Sequence, residues 1–259
     1  MSAILCDELA VGYDHRAVVE GIHLRVPAGQ ALALVGTNGS GKSTLLKTLM
    51  GLLPPVRGSC AVLGNVPGTT PARVAYLGQA HPSRFVLPLR AVDVVRMGRF
   101  ATLGLLRRPS ADDRRLVSEA MELLDITQLA DQPLRSLSGG QQQRVYLAHV
   151  VAHHGDVLVL DEPTSGLDLA GREAYRLVVA QALARGAAVV TATHDIGEAQ
   201  ACDQVLLLAG RIVGQGAPEH VLTAEHLLDA FGIALHGVDH GSHRDLVTTE
   251  EPHGHPHDH

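Results

Sequence analysis

Gly36-Thr37-Asn38-Gly39-Ser40-Gly41-Lys42-Ser43 lies between a continuously apolar run at 31–35 and a segment of helical character from 42 to about 50. Glycines at 36, 39 and 41 let the backbone curl so that successive N–H groups point inward at an anion, and a helix start adds its positive dipole end. Spacing and context match a phosphate-binding loop, in which Lys42 reaches the β- and γ-phosphates of a nucleotide and the Ser43 hydroxyl ligates Mg²⁺. Thr37, Asn38, Ser40 and Thr44 complete the cradle. A second chemical element is Val157-Leu158-Val159-Leu160-Asp161-Glu162, an apolar strand that ends in two carboxylates. A strand buried on both faces delivers such side chains into the crevice where ligands of open α/β sheets bind. There Asp161 holds Mg²⁺, directly or through water, and Glu162 orients and deprotonates an attacking water.

A third element, Leu137-Ser138-Gly139-Gly140-Gln141, precedes a helical run through Val145, Ala148 and Ala152. Ser138 is a natural N-cap, and the glycines expose backbone N–H groups at a helix start, which makes a second anion site. One triphosphate does not easily use both sites of one chain. The economical arrangement is two chains head to tail, each offering its serine-glycine turn to the nucleotide in the other's loop.

These residues need a scaffold. Residues 1–35 read as short strands: 22–26 alternates apolar and polar residues, and 31–35 is apolar throughout, as for an inner strand of a parallel sheet. From about 85 to 155 the periodicity is helical. Ser110 can cap a helix that places Leu116, Val117, Ala120, Leu123 and Leu124 on one face. A strand at 157–160, a helix near 170–185 and a strand at 187–193 follow, and this alternation implies a parallel sheet with helices on both faces.

Composition sets the outer bounds. With 259 residues, 46% hydrophobic, the chain can bury a large core, but 3% aromatics and no Trp mean that Leu, Val, Ile and Ala must build it. A net charge of −6 and the lack of a Lys/Arg stripe argue against nucleic acid as a partner. Three cysteines, Cys6, Cys60 and Cys202, far apart in sequence, read as reduced thiols of a cytosolic chain. The N-terminal stretch lacks the basic residues of a signal peptide, and no apolar run approaches the ~18 residues of a membrane span.

The ordered set Tyr13, Gly36 to Ser43, Gln79, Leu137 to Gln141, Asp161-Glu162, Ser165-Gly166-Leu167-Asp168 and His194 resembles the ATP-binding subunit of ABC transporters over about residues 4–235. The resemblance implies an α/β fold with a P-loop NTPase core and a mostly parallel sheet. It adds an N-terminal antiparallel β subdomain and a helical subdomain inserted at about 85–155. It implies an ATPase in which Tyr13 stacks on adenine, Gln79 senses Mg²⁺ and the water, and His194 contacts the γ-phosphate beside Glu162. The 165–168 loop, with Asp168, then touches the opposite subunit, as does the turn of Ser138, Gly139, Gly140 and Gln141. The implied partners are a second copy of the chain, integral membrane permease subunits and a separate solute-binding protein, which puts the chain on the cytoplasmic face of the membrane. At 149 the family usually has Arg where this chain has His, so the contact made by that Arg is in question. His149, His153 and His154 read as structural or surface residues.

Phe85-Val86-Leu87-Pro88, the stretch from Ala91 to Arg99, and Arg107-Arg108-Pro109-Ser110 look like the corresponding segment of the zinc/manganese-type importers, within the part of the family that faces the permease. The siderophore and cobalamin importers share a similar Gly-Arg element and are the alternative. A soluble ABC ATPase outside transport is a more remote one. Seven of the 16 histidines, His236, His240, His243, His253, His255, His257 and His259, fall in the last 24 residues beside Asp239, Asp245, Glu250, Glu251 and Asp258. Imidazole and carboxylate suit Zn²⁺, so this segment, 236–259, reads as a flexible tail that binds zinc outside the ATPase fold.

Overall fold

A computed structural model describes residues 2–78, 89–103, 107–232, 236–240 and 243–247. In chain order the first elements are β1 (Ser2–Tyr13), β2 (Arg16–Pro27), β3 (Ala31–Gly36), α1 (Lys42–Leu49), β4 (Arg57–Val62) and β5 (Val74–Leu77). Helices α2 (Ala91–Met97), α3 (Phe100–Leu103), α4 (Ala111–Leu123) and α5 (Gly139–His153) follow. The chain then runs through β6 (Val157–Asp161), α6 (Leu169–Ala184), β7 (Ala188–Thr193), α7 (Ile196–Gln200), β8 (Gln204–Leu208), β9 (Ile212–Gly216), α8 (Pro218–Val221) and α9 (Ala224–Phe231).

The larger sheet has the order β5-β6-β7-β3-β8-β9, parallel except where β9 runs against β8. Every residue of β3, β6 and β7 is buried. Runs of Val, Leu and Ala without alternation fit strands covered on both faces. Charged side chains are thereby confined to strand ends, and the one polar residue inside these strands, Thr191, accepts from the Tyr175 hydroxyl at 3.3 Å. The register Val35↔Thr193 and Asp161↔Ala192 brings the C-terminal ends of β3, β6 and β7 to one edge, so the loops that follow them emerge together.

The smaller sheet, β2-β1-β4, is antiparallel. Where short strands were expected, β1 and β2 each run for 12 residues. Glu8, at φ 47°, marks a register shift between Cys6 and Leu9 that lets β1 bend and continue past an irregularity that breaks its alternation. This sheet packs on α1 and on one face of the larger sheet through Ile4, Leu9, Ile22, Leu24, Leu45 and Leu46.

Helices α2, α4 and α5 pack on each other and on α6 around Val95, Ala120, Leu124, Leu147 and Val150. Ser110 caps α4 as expected: Asp113 N–H donates to Ser110 Oγ at 3.1 Å, and Ser110 N–H donates back to Asp113 Oδ2 at 2.8 Å. The buried face of α4 is Val117, Ala120, Met121 and Leu124, with Leu116 and Leu123 only half-buried at its flank. Arg99 then ties three elements together. Its guanidinium donates to Asp113 Oδ1 at 2.9 Å and to the carbonyls of Ala152 and His153 at the end of α5, at 2.9 and 2.8 Å. A cation on those carbonyls also complements the negative end of the helix.

At the C-terminus, where the sequence predicted a flexible tail, His236–His240 and His243–Val247 pair as an antiparallel hairpin with His240 opposite His243. Pairing of main chains needs no apolar content, which is why composition gave no sign of it. His253, His255, His257 and His259 lie outside the described residues.

The Ser110 hydrogen bonds, with Arg99 beside them, hold the Asp113 carboxyl down at about 2, against an ordinary value near 3.8. A carboxylate with a depressed folded pKa contributes stability above its unfolded pKa and loses it as pH falls through the folded one. Asp113→Asn should therefore cost roughly 1–2 kcal/mol at neutral pH after allowance for solvent screening. Denaturant unfolding of both proteins should show the gap narrowing between pH 4 and pH 2; a gap unchanged by pH would remove the ionised carboxylate, held by Ser110 and Arg99, as its cause.

Candidate functional site

The phosphate loop occupies the edge where β3 ends. A Cβ on Gly36, at φ 152°, would collide with the Leu208 carbonyl, and one on Gly41, at φ 106°, would come within 2.5 Å of Val19 on β2. Both positions require glycine, and the second shows that the β1–β2 hairpin abuts the loop. Gly41 caps α1 with no side-chain acceptor, so the first N–H groups of the helix remain available to an anion. Residues Asn38 to Thr44 line a cavity of about 360 Å³ whose far wall is Glu162.

Lys42 is 6% exposed. Its Nζ donates to the carbonyls of Gly36 at 2.7 Å and Thr37 at 2.9 Å, which fixes the ammonium at the mouth of the loop. Burial lowers its pKa, while the charges of Glu162 and Asp161 work in the opposite direction. Asp161, 4% exposed at the end of β6, is shifted the other way: burial raises its pKa, and a hydrogen bond from Ser43 and the charge of Lys42 pull it back. Among the described residues, Asp161 Oδ1 and Ser40 Oγ are buried without a hydrogen-bond partner. The unpartnered Asp161 oxygen, with the Ser43 hydroxyl at the same carboxylate, is an all-oxygen donor set for a hard cation such as Mg²⁺. The residues present fit that ion.

Glu162 is half-buried and has φ 50°, a left-handed backbone that a glutamate adopts only when its surroundings impose it. Its N–H donates to the Ala192 carbonyl at 2.9 Å as the last bond of the β6–β7 ladder, and the left-handed turn then takes the chain out of the sheet with the side chain lining the cavity. His194 follows β7 directly and is exposed, one residue past the Thr193 that pairs with Val35. It stands at the same sheet edge but outside the lining of the 360 Å³ cavity. Tyr13 is 45% exposed at the tip of the β1–β2 hairpin, where a ring has a free face to stack on. Gln79 lies outside the described residues.

The serine-glycine turn lies elsewhere. Ser138 caps α5 in a reciprocal box, accepting from Gln141 N–H at 3.3 Å while Ser138 N–H donates to Gln141 Oε1 at 2.9 Å. Ser138, Gly140 and Gln141 line a separate cavity of about 460 Å³ together with Arg144, Gly166 and Asp168. No residue is shared with the phosphate-loop cavity. Asp168 accepts from Arg144 at 2.7 Å and from Gly171 N–H at 2.8 Å, and the Arg144 bond holds its pKa below the usual carboxylate range. Arg144 escaped the sequence reading; its signal is its place one turn beyond the cap of α5. His149 and His153 prove structural. His149 Nδ1 meets the Val94 carbonyl on α2 at 3.0 Å, and His153 Nε2 meets the Pro71 carbonyl at 3.0 Å.

The glycine loop with its two acids and the capped serine-glycine turn thus line two separate cavities of one chain. Comparison with known proteins shows the family. The profile of the ABC transporter family matches residues 19–165. The chain is 34% identical to the manganese transport system ATP-binding protein of Bacillus subtilis, over 90% of this chain and 93% of that one. It is 36% identical to the zinc transport system ATP-binding protein of Treponema pallidum, over 89% and 87%. It is 39% identical to the hemin import ATP-binding protein of Thermobifida fusca, over 90% and 83%.

Proposed function

The chain belongs to the ABC transporter family as an ATP-hydrolysing subunit, and on that premise we propose that it powers the import of a divalent metal ion, zinc or manganese. The observation that carries the cargo is the 34–36% identity, over about nine-tenths of the chain, to ATP-binding proteins of manganese and zinc transport systems. ATP and Mg²⁺ are the ligands of such a subunit, which works as a dimer with membrane permease partners. No helix among the described residues is long and apolar enough to cross a membrane, which fits a path for the ion on separate permease chains. A separate solute-binding protein delivers the ion to them, and the ATPase sits on the cytoplasmic face.

In this reading the γ-phosphoryl oxygens accept from Lys42 and from the loop amides, and the lysine exchanges its two carbonyl partners for them. Ser43 and Asp161 would hold Mg²⁺, which would supply neutralisation of the charge on the triphosphate when bound. Glu162, aimed into the cavity, takes the proton of the attacking water, His194 orients on the γ-phosphate, Gln79 senses the water and Tyr13 stacks on the adenine. The turn of Ser138, Gly139, Gly140 and Gln141, with Asp168 behind it, closes over the nucleotide of the partner subunit.

The hemin importer of Thermobifida fusca supports a second reading, in which the cargo is a metal chelate of the hemin, siderophore or cobalamin kind. The histidines from His236 to His259 favour the bare ion, because they offer imidazole for a cytoplasmic zinc buffer on the same chain.

Glu162→Gln should bind ATP within about twofold of the parent but hydrolyse it roughly 10²–10⁴-fold more slowly, and should accumulate as an ATP-bound dimer. Size-exclusion chromatography with ATP and a phosphate-release assay check both points, and ordinary turnover would remove Glu162 as the base. For the cargo, a strain lacking this chain should lose high-affinity uptake of radioactive zinc or manganese and keep that of hemin; the reverse pattern selects the chelate. For the tail, calorimetric titration with zinc should show binding to the full chain that a truncation after residue 235 lacks, and equal binding by both would discard it.

A further inference from the structure

Cys6 on β1 and Cys60 on β4 are 54 residues apart in sequence, yet their sulfurs stand 3.3 Å apart. They occupy directly opposed positions in the β1–β4 ladder, with Ile4 opposite Val62 and Asp7 opposite Ser59. Leu63 N–H donates to the Ala3 carbonyl at 2.7 Å, so Ala3 and Leu63 are a hydrogen-bonded pair. Counting inward by the alternation of an antiparallel ladder, Cys6 and Cys60 are a non-hydrogen-bonded pair. Opposed Cα atoms are closest there, at about 4.5 Å, within the span that a disulfide bridges without moving the backbone. The two thiols differ in access: Cys6 is 3% exposed, whereas Cys60 is half-buried.

We propose that Cys6 and Cys60 form a reversible dithiol/disulfide site, with Cys60 as the attacking thiol and Cys6 as the resolving one. Neither residue takes part in the nucleotide chemistry. No group of three or more metal-ligating side chains exists among the described residues, so the pair is a redox site rather than a metal site. The polarity follows from access: an oxidant reaches the half-buried Cys60 first, while Cys6, 3% exposed behind it, stands in contact with the Cys60 sulfur and is held protonated by burial and by that contact. The oxidant is a peroxide. The Cys60 thiolate attacks one peroxide oxygen; an S–O bond forms, the O–O bond breaks, and the departing hydroxide takes a proton to leave as water. The Cys6 sulfur then attacks the Cys60 sulfur; the S–S bond forms, the S–O bond breaks, and the leaving hydroxide takes the Cys6 proton as a second water. Two thiols and one hydrogen peroxide give one disulfide and two waters. The bridge staples β4, the strand that follows the phosphate-loop helix α1, to the central strand of its sheet.

Cys202 serves as the internal control. It is half-buried, donates to the Glu198 carbonyl at 3.5 Å, and burial pushes its thiol up to about 12. The test treats the full chain with hydrogen peroxide and maps its peptides without reduction. A linked Cys6–Cys60 peptide pair, lighter by two hydrogens, with Cys202 still alkylatable and with full reversal by dithiothreitol, is the expected result. The oxidised protein should also melt several degrees higher than the reduced one, a shift that Cys60→Ser abolishes. Sulfinic acid on Cys60 without a linked peptide, chains joined through Cys60, or oxidation of Cys202 ahead of the pair would each overturn the proposal. Should Cys60→Ser fail to fold, the peptide map of the unaltered chain decides alone.

Discussion

Everything at the nucleotide edge turns on two opposite charges that the fold desolvates together. Burial disfavours the ammonium of Lys42 and the carboxylate of Asp161 alike, and each is part of what keeps the other ionised. The compensation is incomplete. Lys42 leans on two backbone carbonyls, and one oxygen of Asp161 has no partner at all. A buried group left short of partners costs stability by itself and repays that cost when a ligand completes it. Triphosphate oxygens answer the first deficit and a hard cation the second, so the site's affinity for a metal-bound nucleotide is the counterpart of its strain when empty.

The sheet makes that arrangement possible. With β3, β6 and β7 buried from end to end, no polar side chain can sit within them without a partner, and the acids are driven to their C-terminal limits. The left-handed turn at Glu162 marks the residue where the chain leaves the sheet, and the same turn moves the carboxylate off the strand axis and into the cavity. The donor turn at Ser138 obeys a different constraint. Its cap is closed upon itself by Gln141, and its neighbour Asp168 is held by Arg144 and the amide of Gly171, so its shape is set before any nucleotide arrives. A preformed surface costs little ordering when it docks, which is what the proposed engagement of a partner's nucleotide asks of it.

The legible parts of this molecule were those whose signal is local. The glycine spacing of the phosphate loop, the acids after an apolar run, and the caps at Ser110 and Ser138 each depend on residues within a few positions of one another, and each appears in the structure where the sequence put it. What escaped depends on pairing across distance. The order β5-β6-β7-β3-β8-β9 interleaves early and late strands, and no periodicity encodes it. The cysteines looked scattered because the β1–β4 register that opposes them is set by apolar residues elsewhere on those strands. The buried face of α4 shifted onto Met121 because its neighbour α5, and not the helix's own pattern, decides which stripe is covered.

The His149 position, where Arg is the usual residue, illustrates how a local exception is absorbed by the surroundings. Gln143 donates to the Pro163 carbonyl at 2.8 Å and Arg144 to Asp168 at 2.7 Å, so the first turns of α5 are fastened to the segment just after Glu162. Farther along the same helix, His149 fastens α5 to α2 through Val94, and Arg99 clamps its last carbonyls to Asp113 on α4. A neutral imidazole suffices for the Val94 contact because it needs one donor in a buried place, and burial keeps the ring in that neutral form. A series of directional contacts therefore runs from the segment just after Glu162 along α5 to α2 and α4. A helix fastened at both ends fixes the spacing of what it touches, so the 163–168 segment and α2 are positioned by the same element.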